Sequence, residues 1–135
     1  MRAAGTFTVK AFTPTELKPE PAVSTGTPVG VATMEKHFTG DVAGRSATLF
    51  TAAFDQTTGV GTYVAVESFE GSLNGRSGTF NFAHSATTSG SDRTAEFFTV
   101  VPSSGTGELA GISGTGGMTV DAEGTHRIWF DYETD

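Results

Sequence analysis

The stretch FTVVPSSGTGELAGISGTGG, residues 98–117, decides the class of fold. It opens F-T-V-V, aromatic and β-branched as strands prefer, and Pro102 stops the run. The glycine, serine and threonine tract that follows cannot be a helix, because glycine adds backbone freedom and serine and threonine compete for backbone hydrogen bonds. Gly105-Thr-Gly107-Glu-Leu-Ala110 fits the G-x-G-x-x-A form of a dinucleotide fingerprint. That chemistry needs a helix opening at the glycines, and Gly111, Gly114, Gly116 and Gly117 interrupt one, with too little chain left for a crossover. The glycines read instead as places where strands turn tightly and coil as a barrel closes.

Working outward, eight segments read as strands, at about 4–12, 27–39, 45–55, 61–72, 77–86, 93–101, 107–121 and 125–134. Asn74-Gly75 is suited to the positive φ angles of a type I′ turn, and Phe69, Leu73, Phe80 and Phe82 flank it, so a hairpin is predicted there. Short strands at regular spacing suggest an antiparallel barrel or a sandwich, and closure into a barrel removes the free edges. Residues 13–25 differ: Pro14, Pro19 and Pro21 alternate with charged residues, giving a solvated loop over one barrel end.

A chain of 135 residues has the length of one domain. With 18 Gly, 11 Phe and few helix-forming runs, it is expected to be all-β. No cysteine is present, which excludes disulfides, thiolate catalysis and cysteine-bound metal and fits a reducing cytoplasm. The opening AAGTFTVKAF lacks the apolar core of a signal peptide, and no run approaches the roughly 20 apolar residues of a membrane span. A formal charge of -7, with the basic residues scattered, opposes binding to nucleic acid or an anionic membrane. No P-loop, nucleophile elbow or zinc-binding H-E-x-x-H is present.

Several landmarks recur in order along nearly the whole chain: FTGD (38–41) followed by Gly44, YVAVE (63–67), GSLNGRSG (71–78), FNFAH (80–84), then His126 and Tyr132. With the glycine tract, they make the chain resemble a bacterial family, domain of unknown function 3224, with an allene-oxide-cyclase-like barrel. The resemblance implies a single eight-stranded antiparallel β-barrel and no substrate. No motif of plant allene oxide cyclases is matched residue by residue, so no catalytic residue carries over.

Because strand side chains alternate, each run divides into two faces. Tyr63, Ala65, Glu67 and Phe69 share one; Phe80, Phe82 and His84 share another; His126, Ile128, Phe130 and Tyr132 share a third. If the aromatic faces point inward, Glu67 is a carboxylate in an apolar lumen, where desolvation raises its pKa. An outer-wall position or an ion pair for Glu67 is equally compatible with the sequence. Lys36 alternates with Met34 and Phe38, so it also turns inward and needs a partner such as Glu67 or Glu96. His84 and His126 suit carbonyl polarisation or proton transfer, though a rim hydrogen bond is the commoner role for either. His37 is expected to face outward. Trp129, on the opposite face from Ile128 and Phe130, is a candidate subunit contact.

A barrel of eight strands either fills with its own side chains or holds one small ligand, and Ala52, Ala65 and Ala83 among the phenylalanines suggest room for an elongated apolar pocket. The leading expectation is a cofactor-free isomerase or cyclase acting on a small hydrophobic metabolite, as the barrel resemblance implies. Glu67 and His84 are the candidate catalytic residues, and Tyr63, Lys36, Phe69, Phe80, Phe82, His126, Phe130 and Tyr132 the candidate substrate-binding ones. No metal or cofactor is expected, and a homodimer or other homo-oligomer is. The alternatives are a non-catalytic carrier or sensor and a structural homo-oligomeric domain.

Overall fold

Eight strands form where alternation and turn residues predict them: β1 (Arg2–Pro14), β2 (Val29–Gly40), β3 (Val42–Phe54), β4 (Val60–Leu73), β5 (Arg76–Ser89), β6 (Asp92–Val100), β7 (Ser113–Val120) and β8 (His126–Glu133). The structure is a computed structural model and describes residues 1–90 and 92–135. All strand pairs are antiparallel, in the order β6-β5-β4-β3-β2-β1-β8-β7. The two ends of that order, β6 and β7, come side by side, so the barrel is nearly closed. No hydrogen-bonded ladder joins them among the described residues. The seam is packed instead: the Phe98 ring lies over Gly116, within 2.8 Å of where a Cβ would stand, so a side chain there would push the strands apart.

The hairpin at Asn74-Gly75 has positive φ at both residues, 51° and 82°, as a type I′ turn requires. The strand expected at 107–121 begins only at Ser113, because Gly107–Leu109 winds into a single 3-10 turn. That turn corrects the reading of the glycine tract as wholly non-helical; it drops Leu109, fully buried, into one end of the barrel. The proline-rich stretch is a loop, but β1 runs on to Pro14 and the connection spans residues 15–28 at the opposite end, almost entirely exposed. No helix among the described residues is long and apolar enough to cross a membrane.

The inward faces are those the aromatic residues mark. Phe69, Phe80, Phe82 and Phe130 meet edge-on or tilted, with ring centroids 5.1 to 6.1 Å apart, and fill the end of the lumen near Leu109 and Ile112. Each fully buried ring contributes about 1.5–3 kcal/mol by leaving water. A second, smaller cluster of Tyr63, Ala65 and Ala86, with Phe50, Ala52 and Phe54 against it, lines the other end. The two clusters bracket a polar layer.

Two β-bulges break the alternation. On β1 the register slips between Val9 and Ala11, leaving Lys10 unpaired, so Phe12 turns to the same side as Phe7 although their spacing is odd. On β6 the slip lies opposite Ser85 and Thr87, where Ala95 takes φ 51°, and it turns Arg93 to the side that Phe98 faces. Beyond the level of Phe7 and His126, where β8 begins, β1 pairs with no strand on that side among the described residues, and the barrel opens there.

Candidate functional site

Strand pairing places Thr48 opposite Glu67, Ala65 opposite His84 and Lys36 opposite Ser46, so the inward positions of four adjacent strands bring these polar groups into one layer. Glu67 is completely buried, and Lys36, Ser46, Thr48 and His84 nearly so. The Glu67 carboxylate accepts three hydrogen bonds: Oε2 from Lys36 Nζ at 2.5 Å and from His84 Nε2 at 2.5 Å, and Oε1 from the Ser46 hydroxyl at 2.6 Å. With its Nε2 hydrogen given to Glu67, the neutral His84 ring accepts the Tyr63 hydroxyl proton at Nδ1, 2.9 Å away. The Tyr63 oxygen in turn accepts from Arg93 Nη2 at 2.8 Å, and Arg93 pairs outward with Glu96 at 2.7 Å. One continuous chain of hydrogen bonds therefore runs from Glu67 to the half-exposed Glu96.

The charges follow from this arrangement. Burial alone raises the pKa of Glu67, but the His84 hydrogen bond and the Lys36 ammonium outweigh it and hold the carboxyl at about 2. Of the two readings the sequence allowed for Glu67, the raised pKa of a bare apolar lumen gives way to the ion pair with Lys36, and the fold adds the His84 and Ser46 donors. Burial lowers the pKa of His84 despite the Glu67 hydrogen bond and charge, which keeps the imidazole neutral near neutral pH. Burial likewise raises that of the Tyr63 phenol against the pull of Arg93. Lys36 also lies 4.9 Å from the centre of the Phe7 ring, whose face stabilises its charge. Among the described residues, the Thr48 hydroxyl is the one buried side-chain polar atom with no hydrogen-bond partner.

At the open end lies a depression of about 270 Å³ lined by Phe12, Phe50, Phe54, Ala32 and Ala52; Thr48, two residues along β3 from Phe50, is buried behind this lining and not part of it. Phe50 stacks on Tyr63 with centroids 5.2 Å apart, linking the apolar mouth to the hydrogen-bonded chain. This is a short mouth rather than the elongated pocket expected, because the phenylalanine cluster plugs the lumen below, and Ala83 faces away from it. A larger depression, about 680 Å³, lies on the outer wall around Glu35, Arg45, Ser68, Glu70 and Asn81. Its Arg45–Glu70 pair is exposed to solvent, whereas the smaller depression is bounded by Phe50, which stacks on the Tyr63 end of the buried hydrogen-bonded chain.

Of the candidate residues, Glu67, His84, Lys36 and Tyr63 converge, and Phe82 stacks on His84 with centroids 5.7 Å apart. Phe69, Phe80 and Phe130 belong to the plug and do not reach the mouth. Tyr132 sits at the plugged end, its hydroxyl accepting from Asn74 Nδ2 at 2.9 Å, where it anchors the hairpin turn. His126 shares the inward parity but is exposed at the start of β8, tilted against Phe7 with centroids 5.0 Å apart and separated from Glu67 by that ring and Lys36. Among the described residues no group of three His, Asp or Glu side chains is placed to hold a metal ion. Ser46, Thr48, Phe12, Phe50 and Arg93 were not foreseen. Ser46 and Thr48 share the face of Phe50 and Phe54, a signal that alternation carries; Phe12 and Arg93 reach the site only through the bulges.

Compared with known proteins, residues 3–132 match the model of a family described as Protein of unknown function (DUF3224). A crystal structure of a protein with unknown function from that family, from Shewanella oneidensis MR-1, is similar with a TM-score of 0.84 and 30% sequence identity, covering 100% of this chain and 97% of that one. No curated protein matches.

Proposed function

This chain belongs to the DUF3224 family, and from that premise we propose that it is a barrel that binds a small, uncharged, mostly apolar molecule carrying one hydrogen-bond acceptor, at the open end. The observation that carries the reading is the Thr48 hydroxyl, buried without a partner in a layer where the neighbouring polar groups are satisfied. An unmet buried hydroxyl costs about 1–3 kcal/mol, and a carbonyl or ether oxygen entering past Phe50 would recover part of that. Ala32 and Ala52 leave room at the mouth, and Phe12, Phe50 and Phe54 offer aromatic walls. The charges of Lys36 and Glu67 already cancel, as do those of Arg93 and Glu96, so the layer favours a neutral ligand over an anion.

A matched pair of probes tests this. Acetophenone and ethylbenzene have nearly the same shape and differ in one carbonyl, and benzoate adds a charge. Titrated by NMR, the two neutral probes shift Phe12 and Phe50 and benzoate does not. Thr48→Val weakens acetophenone about fivefold, the equivalent of about 1 kcal/mol, and leaves ethylbenzene unchanged. Neutral probes that fail to shift the mouth residues, or a Thr48→Val variant that leaves acetophenone unaffected, defeat the proposal.

A second reading, a cofactor-free isomerase or cyclase as the barrel resemblance suggests, is favoured by the Tyr63–His84 hydrogen bond beside the mouth. There the Tyr63 hydroxyl supplies a proton to an oxygen of the ligand, and the Arg93 guanidinium that donates to the Tyr63 oxygen stabilises the phenolate left behind. The proton returns to Tyr63 as the product forms, with His84, oriented by Glu67, positioning the ring. Glu67 is then a positioning residue: its oxygens are occupied and it stays ionised at neutral pH.

A further inference from the structure

The outer wall of β3 to β6 carries a face that the mouth does not explain. Leu49, Val64, Val66 and Phe97 point outward and are 60%, 54%, 47% and 55% exposed. They are contiguous: Leu49 pairs with Val66, Val66 with Ala83, Val64 with Ser85, and Ser85 with Phe97. The outward positions among residues 47–51, 64–68, 83–85 and 97–99 contain no charged residue, in a chain with 15 acidic and 8 basic side chains. Large apolar side chains clustered without charge are costly to leave in water and mark an interface.

We infer that this face is where a second copy of the chain docks. Two copies, each with a net charge of -7, repel one another except where charge is absent, and this is such a place. A basic partner would be drawn to the acidic surface elsewhere. A neutral sheet face is also complementary to itself under a two-fold axis, with the two sheets stacked about 10 Å apart and within about 30° of alignment. Four strands at about 4.8 Å and three outward rows at about 6.7 Å span roughly 400 Å² in projection. Side-chain relief and the polar rim bring that toward the about 800 Å² per partner of a standard interface. At the rim Arg45 pairs with Glu70 at 2.7 Å, Glu35 with His37, and Asn81 Nδ2 donates to Ser68 at 2.9 Å. Phe97, on β6 at the end of the sheet order, supplies the aromatic anchor that such contacts favour. Trp129, the earlier candidate contact, is engaged within its own barrel: its ring lies over Gly117, and the Arg2 guanidinium stands 5.8 Å from its centre.

Sedimentation equilibrium tests the contact. Wild type at tens of micromolar is expected at twice the 14.0 kDa chain mass, whereas Val66→Glu, a change on the outer wall, sediments as a single chain with an unchanged circular dichroism spectrum. If Val66→Glu fails to fold, Phe97→Asp gives the same readout from the sheet edge. Wild type that remains single at hundreds of micromolar overturns the inference, as does a folded Val66→Glu or Phe97→Asp variant that still sediments as a dimer. Neither result touches the mouth, so the binding proposal stands or falls separately.

Discussion

Glu67→Gln is the perturbation with the most structure behind it. The substitution keeps the shape of the side chain but removes the charge that faces Lys36 and replaces one accepting oxygen with a donor. Lys36 is left buried with no anion, a change that costs about 3–5 kcal/mol in comparable buried pairs. An independent route gives a similar figure. Moving the carboxyl from an ordinary 4.5 to about 2 corresponds to about 3 kcal/mol at neutral pH. Against a typical total of 5–15 kcal/mol, that is a large share of the stability. Urea unfolding at pH 7 reads it as a fall in midpoint of about 2 M. Because the folded protein binds this proton more weakly than the unfolded chain, the stabilisation is complete above about pH 5 and disappears as pH falls toward 2. The variant lacks that part of the acid dependence, so the two profiles converge at low pH. Adding Lys36→Met to Glu67→Gln removes the stranded charge and recovers most of the loss. A Glu67→Gln variant within about 1 kcal/mol of wild type at pH 7, or parallel profiles between pH 5 and 2, would refute the reasoning.

His84 is expected to remain neutral, with hydrogen on Nε2, at pH values where an ordinary histidine protonates, as read by nitrogen chemical shifts; titration at or above 6.5 contradicts this. Its folded pKa lies below the unfolded one, so its contribution to stability is full above pH 6.5 and declines as pH falls. For the isomerase or cyclase reading, Tyr63→Phe should lower turnover of a substrate by about a hundredfold or more while leaving affinity nearly unchanged, and undiminished turnover excludes Tyr63 as the proton donor.

Much of the site was legible wherever strict alternation held. Tyr63, Glu67 and Phe69 on β4, Phe82 and His84 on β5, and Lys36 on β2 point inward as their period-two patterns require. His37 points outward, as expected. Alternation gives a direction but not a height in the barrel. That is why Phe130 and Tyr132, on the correct face, sit in the plug while Tyr63 reaches the mouth. Nor does it register an inserted residue: Lys10 and the Ala95 bulge each reverse the parity, and they bring Phe12 and Arg93 to places that no reading of spacing assigns.

From its residues alone this chain is an eight-stranded antiparallel β protein, with an Asn74-Gly75 hairpin and ionisable side chains on aromatic faces. Those properties arise from local causes: turn geometry, β propensity and side-chain alternation. The tertiary structure alone decided which ionisable groups meet, that Glu67 is held charged rather than neutral, that Thr48 has no partner, and that one end is filled while the other opens. Each depends on distances between strands far apart in sequence, and electrostatic and packing energies are set by those distances.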